Sequence, residues 1–140
     1  MPDYTTFEVG SSRTLEVITD LPRSQIVMYA GASGDFNPVH TDEVYVTRVA
    51  GHPTVFAHGM LTMGATGKVL TDWVGNGRLT SFGVRFVNLV RPGDTLTATA
   101  TVEKLRVNET GRHVADFTVV TTNQDGLTVV TGQATAEIHT

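Results

Sequence analysis

Residues 59–74 read Gly-Met-Leu-Thr-Met-Gly-Ala-Thr-Gly-Lys-Val-Leu-Thr-Asp-Trp-Val. Only Thr62, Thr66, Lys68, Thr71 and Asp72 are polar, so Gly59–Trp73 is predicted to be one helix, apolar on nearly all sides and therefore buried. Gly64 and Gly67 each cost about 1 kcal/mol in a helix interior relative to Ala, which implies close approach of other groups to that backbone. The free N–H groups at the helix start, around Gly59, form a ready anion site.

The material to bury that helix follows it. Leu79–Leu89, Thr95–Val107, His113–Thr122 and Leu127–Ile138 are rich in Val, Thr and Phe. Turn signals separate them at Arg91-Pro92-Gly93-Asp94, Asn108-Glu109-Thr110-Gly111 and Asn123-Gln124-Asp125-Gly126. Such strands predict an antiparallel meander. Upstream, Arg13–Thr19 reads as a short strand, Asp42–Val49 as a short helix, and Ser24–Ala32 as a helix whose packed face carries Ile26, Val27, Tyr29 and Ala30. A buried helix with such a sheet is an α+β arrangement, expected as one domain over residues 1–140.

Composition narrows the function classes. A formal charge of −4 with scattered Lys and Arg carries no basic footprint, which argues against nucleic acid as a partner. No stretch has about 18 uninterrupted apolar residues, and the start Met1-Pro2-Asp3-Tyr4 lacks the features of a secretory leader, so the expectation is no membrane partner and a cytoplasmic location. Cysteine is absent, which excludes disulfides and thiolate chemistry.

The chemistry concentrates before the helix. Ser33-Gly34-Asp35-Phe36-Asn37-Pro38-Val39-His40 sets an acid and a base five positions apart. On a helix, positions five apart point roughly 140° away from each other. Gly34 and Pro38 instead specify a tight loop, and Pro38 pushes Asn37 out of the helical region, so Asp35 and His40 can turn toward one point. A surface turn is the plain alternative, since these residue types build turns. Asn37 is expected to hold the loop by bonding nearby backbone. His58 is read as a supporting residue that caps, packs or orients the loop. His52 and Arg48 are read as solvated, with approach to a carrier phosphate as the alternative. Arg85, beside Phe86, is expected to pack its stem and pair its head with a carboxylate.

Two other motif readings fail. Around Gly64-Ala65-Thr66-Gly67-Lys68-Val69, Thr62 stands where a P-loop needs its first Gly and Val69 where it needs Ser or Thr. His40, His52 and His58 match no common zinc spacing, so no metal is expected.

Tyr29-Ala30-Gly31-Ala32-Ser33-Gly34-Asp35-Phe36-Asn37-Pro38-Val39-His40, Ala57-His58-Gly59-Met60-Leu61, Val84-Arg85-Phe86 and Arg91-Pro92-Gly93-Asp94-Thr95-Leu96 closely resemble the MaoC-like, (R)-specific enoyl-thioester hydratases. The length and Leu70-Thr71-Asp72-Trp73-Val74-Gly75 are most similar to the small catalytic subunit of heterodimeric (3R)-hydroxyacyl-carrier-protein dehydratases. The resemblance implies a hot-dog fold, a sheet wrapped around the Gly59–Trp73 helix. It implies a lyase without a cofactor, acting on an acyl-CoA or acyl-carrier-protein thioester, with one water between Asp35 and His40. The N–H of Gly59 becomes the oxyanion donor. Exposed sheet edges favour a homodimer, or a heterodimer with a related subunit. Gly67 stands where homodimeric members often carry serine, and Val46 where a small residue is usual, which bears on acyl preference and partner choice. A hot-dog thioesterase and a non-catalytic acyl-binding subunit are the competing classes. The Asp35-to-His40 signature counts against both.

Overall fold

The computed structural model describes residues 7–138, so the Met1–Tyr4 start lies outside the described residues. Strand β1 (Ser12–Ile18) leads through a turn to helix α1 (Arg23–Ser33). A single 3-10 turn at Pro38–His40 and helix α2 (Glu43–Arg48) follow, then helix α3 (Gly59–Val74). Strands β2 (Leu79–Phe86), β3 (Leu96–Val107), β4 (His113–Thr122) and β5 (Thr128–Glu137) complete the fold.

The strands form one antiparallel sheet in the order β1-β3-β4-β5-β2, and α3 packs on it in the hot-dog arrangement. The expected meander therefore holds only for β3, β4 and β5. β2 does not pair with β3. It runs along the far edge against β5, and the segment after it crosses back so that β1 can flank β3. The strand also stops at Phe86 rather than Leu89, because the N–H groups of Val87 and Asn88 both turn to the carbonyl of Val129.

Small side chains let the helix sit close to the sheet. Alternate residues Leu96, Ala98, Ala100 and Val102 of β3 are buried, as are Ala134 and Ala136 of β5. Val69, Leu70, Trp73 and Val74 of α3 share one core cluster with Ala98, Ala100, Val102, Ala134 and Ala136, and Trp73 stacks on Phe7 with ring centroids 5.3 Å apart. Inside the core, the hydroxyls of Thr66 on α3 and Thr121 on β4 lie 2.7 Å apart and satisfy each other.

α3 is not covered on all sides. Met60, Gly64, Lys68 and Asp72 form an exposed stripe spaced by four residues, and Met60 is 57% exposed. The sheet covers one face of the helix and loops cover its flanks, which leaves this line open. The two interior glycines consequently differ. A Cβ on Gly67 would lie 3.2 Å from the ring of Phe82, whereas one on Gly64 would meet nothing, so close approach explains Gly67 only. On α1, Ile26 and Ala30 are buried but Val27 faces out, since the packed face is the narrower i, i+4 line.

Candidate active site

The loop that carries Asp35 is shaped by its own side chains. α1 ends at Ser33 because Gly34 takes the left-handed conformation at φ 76° and donates its N–H to the carbonyl of Ala30. The N–H of Asp35 donates to Ser33 Oγ at 3.1 Å, and Asp35 Oδ1 accepts the N–H of Asn37 at 3.2 Å. Asn37 Oδ1 in turn accepts the N–H of Val39 at 3.1 Å and caps the 3-10 turn that ends at His40. Oδ2 of Asp35 is left facing His40.

His40 is buried, and its Nδ1 lies 2.7 Å from the carbonyl oxygen of Phe56. A carbonyl has no proton to give, so Nδ1–H donates and Nε2 of the neutral ring keeps its lone pair. That Nε2 stands 3.8 Å from Asp35 Oδ2. The separation is too long for a direct hydrogen bond and suits two groups acting on one small molecule between them. The Asp35 side chain is half exposed while that of His40 is nearly sealed, so the pair spans the boundary between solvent and interior.

Gly59 opens α3 immediately beyond. Its N–H takes no protein hydrogen bond among the described residues, since the bonds of that first turn run from Leu61 and Thr62 to the carbonyl of His58. Gly59 and His40 line one cleft of about 190 Å³, together with Thr62, Phe86, Leu89 and Val130. A Cβ on Gly59 would approach the Phe86 ring to 3.0 Å, so the cleft wall leaves room for glycine alone without movement. Asp35 is not among the lining residues and adjoins the cleft only through its approach to His40.

His58 does not cap α3 with its side chain. Its Nε2–H donates to the carbonyl of Asp35 at 3.0 Å, and its ring stacks on that of His40 with centroids 3.8 Å apart and planes 24° apart. Donor atoms of Asp35, His40 and His58 all lie within 4.8 Å of one another. They do not form a good metal cage. An ion sits in the plane of each imidazole at about 2.0–2.1 Å, and two stacked, near-parallel rings direct their in-plane lone pairs along separate planes.

The other sequence candidates lie outside this constellation. His52 packs its ring against Phe56 at 5.0 Å, and Arg48 is exposed on α2. Arg85 is exposed on β2 and pairs with no carboxylate among the described residues, because β2 is an edge strand and the Arg85 side chain lines the outer face of the sheet. Val46 is fully buried behind the loop.

A support missing from the sequence reading is Glu43. Its Oε1 accepts hydrogen bonds from Thr54 Oγ1, the Val55 N–H and Arg23, at 2.5, 3.0 and 2.6 Å. These bonds tie α1, α2 and the approach to α3 together. They hold its carboxyl down at about 2, the Thr54 hydroxyl contributing most and the Val55 N–H next. Nothing in the neighbouring sequence marks it, since its partners lie 11, 12 and 20 residues away.

The profile described as MaoC like domain matches residues 5–124. This chain belongs to the MaoC-like dehydratase family. Over 83 residues it is 39% identical to a Mycobacterium tuberculosis protein named 3-hydroxyacyl-thioester dehydratase Y, a stretch that is 56% of this chain and only 28% of that protein. A Rhodospirillum rubrum protein named (R)-specific enoyl-CoA hydratase is 35% identical over 100 residues, 70% of this chain and 69% of that one. Among solved structures, a chain of the ChsH1-ChsH2 complex from Mycobacterium tuberculosis superposes with a TM-score of 0.78 at 25% identity, covering 96% of this MaoC-like chain and all of that one (100%).

Proposed function

We propose that this MaoC-like chain hydrates trans-2-enoyl thioesters with (R) specificity, or dehydrates (3R)-3-hydroxyacyl thioesters by the reverse path. The observation that carries the reading is the 3.8 Å gap between Asp35 Oδ2 and Nε2 of His40, the ring nitrogen that the Phe56 carbonyl does not engage, beside the Gly59 N–H that takes no protein hydrogen bond among the described residues. In hydration the oxygen of water bonds to the β-carbon, one water proton passes to the Asp35–His40 pair, and the pair delivers a proton to the α-carbon. Charge that builds on the thioester oxygen meets the Gly59 N–H at the positive end of α3. Asn37 keeps the loop in shape. No cofactor enters the scheme.

The carrier is CoA or acyl-carrier protein, and the assembly a homodimer or a heterodimer with a related hot-dog subunit. Half-exposed Phe86, Val87 and Leu89 beside the open edge of β2 support pairing with a second subunit, as does the two-component ChsH1-ChsH2 complex. Residues 1–140 are taken as one domain. Among the described residues no helix is long and apolar enough to cross a membrane, and a cytoplasmic location is part of this proposal.

The test follows loss of the enoyl-thioester absorbance with crotonyl-CoA and a longer enoyl-CoA. Asp35→Asn and His40→Gln should each lower kcat by about 10²–10⁴-fold, with circular dichroism unchanged. Near-wild-type turnover by either folded variant refutes the mechanism.

A further inference from the structure

His58 is 2% exposed, and its Nδ1 is buried without a hydrogen-bond partner among the described residues. If the site needed only a flat ring packed between Tyr29 and His40, an apolar ring would serve without an unpaired buried nitrogen. Tyr29 lies 4.7 Å from one side, tilted by 59°, and His40 stacks on another at 3.8 Å. The group that distinguishes this ring from phenylalanine is the Nε2–H, which holds the carbonyl of Asp35 at 3.0 Å.

We propose that His58 is a positioning residue that sets the acid, the base and the oxyanion donor in one frame. It grips the Asp35 backbone through Nε2, supports the face of His40 through its ring, and is joined by one peptide bond to Gly59 at the start of α3. Through this side chain the residue before Gly59 reaches the Asp35 backbone across 23 residues, beside the separate bond of His40 to the Phe56 carbonyl. The hydrogen bond also fixes the neutral tautomer, with the proton on Nε2 and Nδ1 bare. This inference rests on the hydratase reading, and His58 touches neither substrate nor water in it.

His58→Phe keeps a ring of similar size and deletes the donor, so the fold should persist. His58→Gln keeps a donor near the Nε2 position and deletes the stacking ring. With crotonyl-CoA, His58→Phe should lose about 10–100-fold in kcat, the order expected when a reacting group is misplaced by up to 1 Å, with KM little changed. His58→Gln should recover most of that loss. In an Asp35→Asn background, His58→Phe should cost little more, because groups acting as a unit are not additive.

Full activity in His58→Phe, or an undiminished effect in the Asp35→Asn background, overturns the positioning role. Should His58→Phe fail to fold, His58→Gln decides alone: retained activity supports the donor and loss overturns it. A readout free of turnover is the ring's long-range ¹H–¹⁵N correlation pattern. It should show the Nε2–H tautomer for His58, and the Nδ1–H tautomer would overturn the inference. If Asp35→Asn and His40→Gln are fully active, the hydratase reading itself fails. If they are inactive and His58→Phe is not, only the role of His58 fails.

Discussion

Adding one methyl at Gly59 separates the N–H of that residue from the space beside it. Gly59→Ala keeps the donor, but its Cβ would lie 3.0, 3.0 and 3.1 Å from three carbons of the Phe86 ring. Comfortable carbon contacts fall at about 3.5–4.0 Å, so the ring must retreat by several tenths of an ångström. It can do so because Phe86 is 52% exposed, and its retreat alters the wall of a cleft of only about 190 Å³. The stability cost should therefore stay near the low end of the overpacking range of about 1–3 kcal/mol, offset in part by alanine's better helix propensity. If the same 1–3 kcal/mol instead falls on the transition state, kcat/KM drops by about 5- to 150-fold. Thermal melts and kcat/KM with crotonyl-CoA should show a small shift in Tm and a large loss of activity. Phe86→Ala in the same chain should restore activity by removing the obstructing ring. Unchanged activity in Gly59→Ala, or no rescue by Phe86→Ala, would refute the reasoning about this wall.

Three further outcomes follow from packing and charge. Thr66→Val should cost about 1–3 kcal/mol in urea denaturation, because the buried Thr121 hydroxyl loses its partner, while Thr66→Val with Thr121→Val should lie closer to wild type. Gly132→Ala should prevent folding or cost more than about 3 kcal/mol, since its Cβ would collide with the backbone carbonyl of Gly83 on the paired strand, and calorimetry reads this directly. The Glu43 carboxyl is lowered from 4.5 to about 2, so the folded state favours its ionised form. The stability it contributes is present above pH 4.5 and declines as pH falls toward about 2, and an acid titration by circular dichroism should lose that component in Glu43→Gln.

Local chemistry was legible and lateral placement was not. The bounds of α3 and of the three long strands follow from composition and turn residues, because each is set by neighbours in the chain. The loop geometry was readable for the same reason: Gly34 ends α1 and Asn37 with Pro38 starts the turn that delivers His40. β2 differs. Nothing in Leu79–Phe86 states that its partner is β5, since pairing across 44 to 57 residues depends on where α3 deposits the chain. The exposed line Met60, Gly64, Lys68 and Asp72 was hidden by an apolar fraction that is high around the whole helix. Glu43 and the Phe56 carbonyl escaped notice because a hydrogen bond to a distant backbone or hydroxyl leaves no pattern in spacing.

The glycines of α3 and the phenylalanines of β2 connect these observations. Gly59 meets Phe86 and Gly67 meets Phe82, so the helix and the strand run past each other in matched steps. Eight helical residues rise about 12 Å and four strand residues about 13 Å, which is why the two contacts can form at once. Gly67 is also where the resemblance to homodimeric hydratases breaks. A serine there would add an oxygen beyond a Cβ that already lies 3.2 Å from Phe82, so the aromatic ring occupies the space that the larger residue would need. That departure is thus compensated within this chain, by a residue on the edge strand. The strand that walls the cleft through Phe86 is one of the two edge strands of the sheet, so a subunit added along its open edge would lie against the wall of the site.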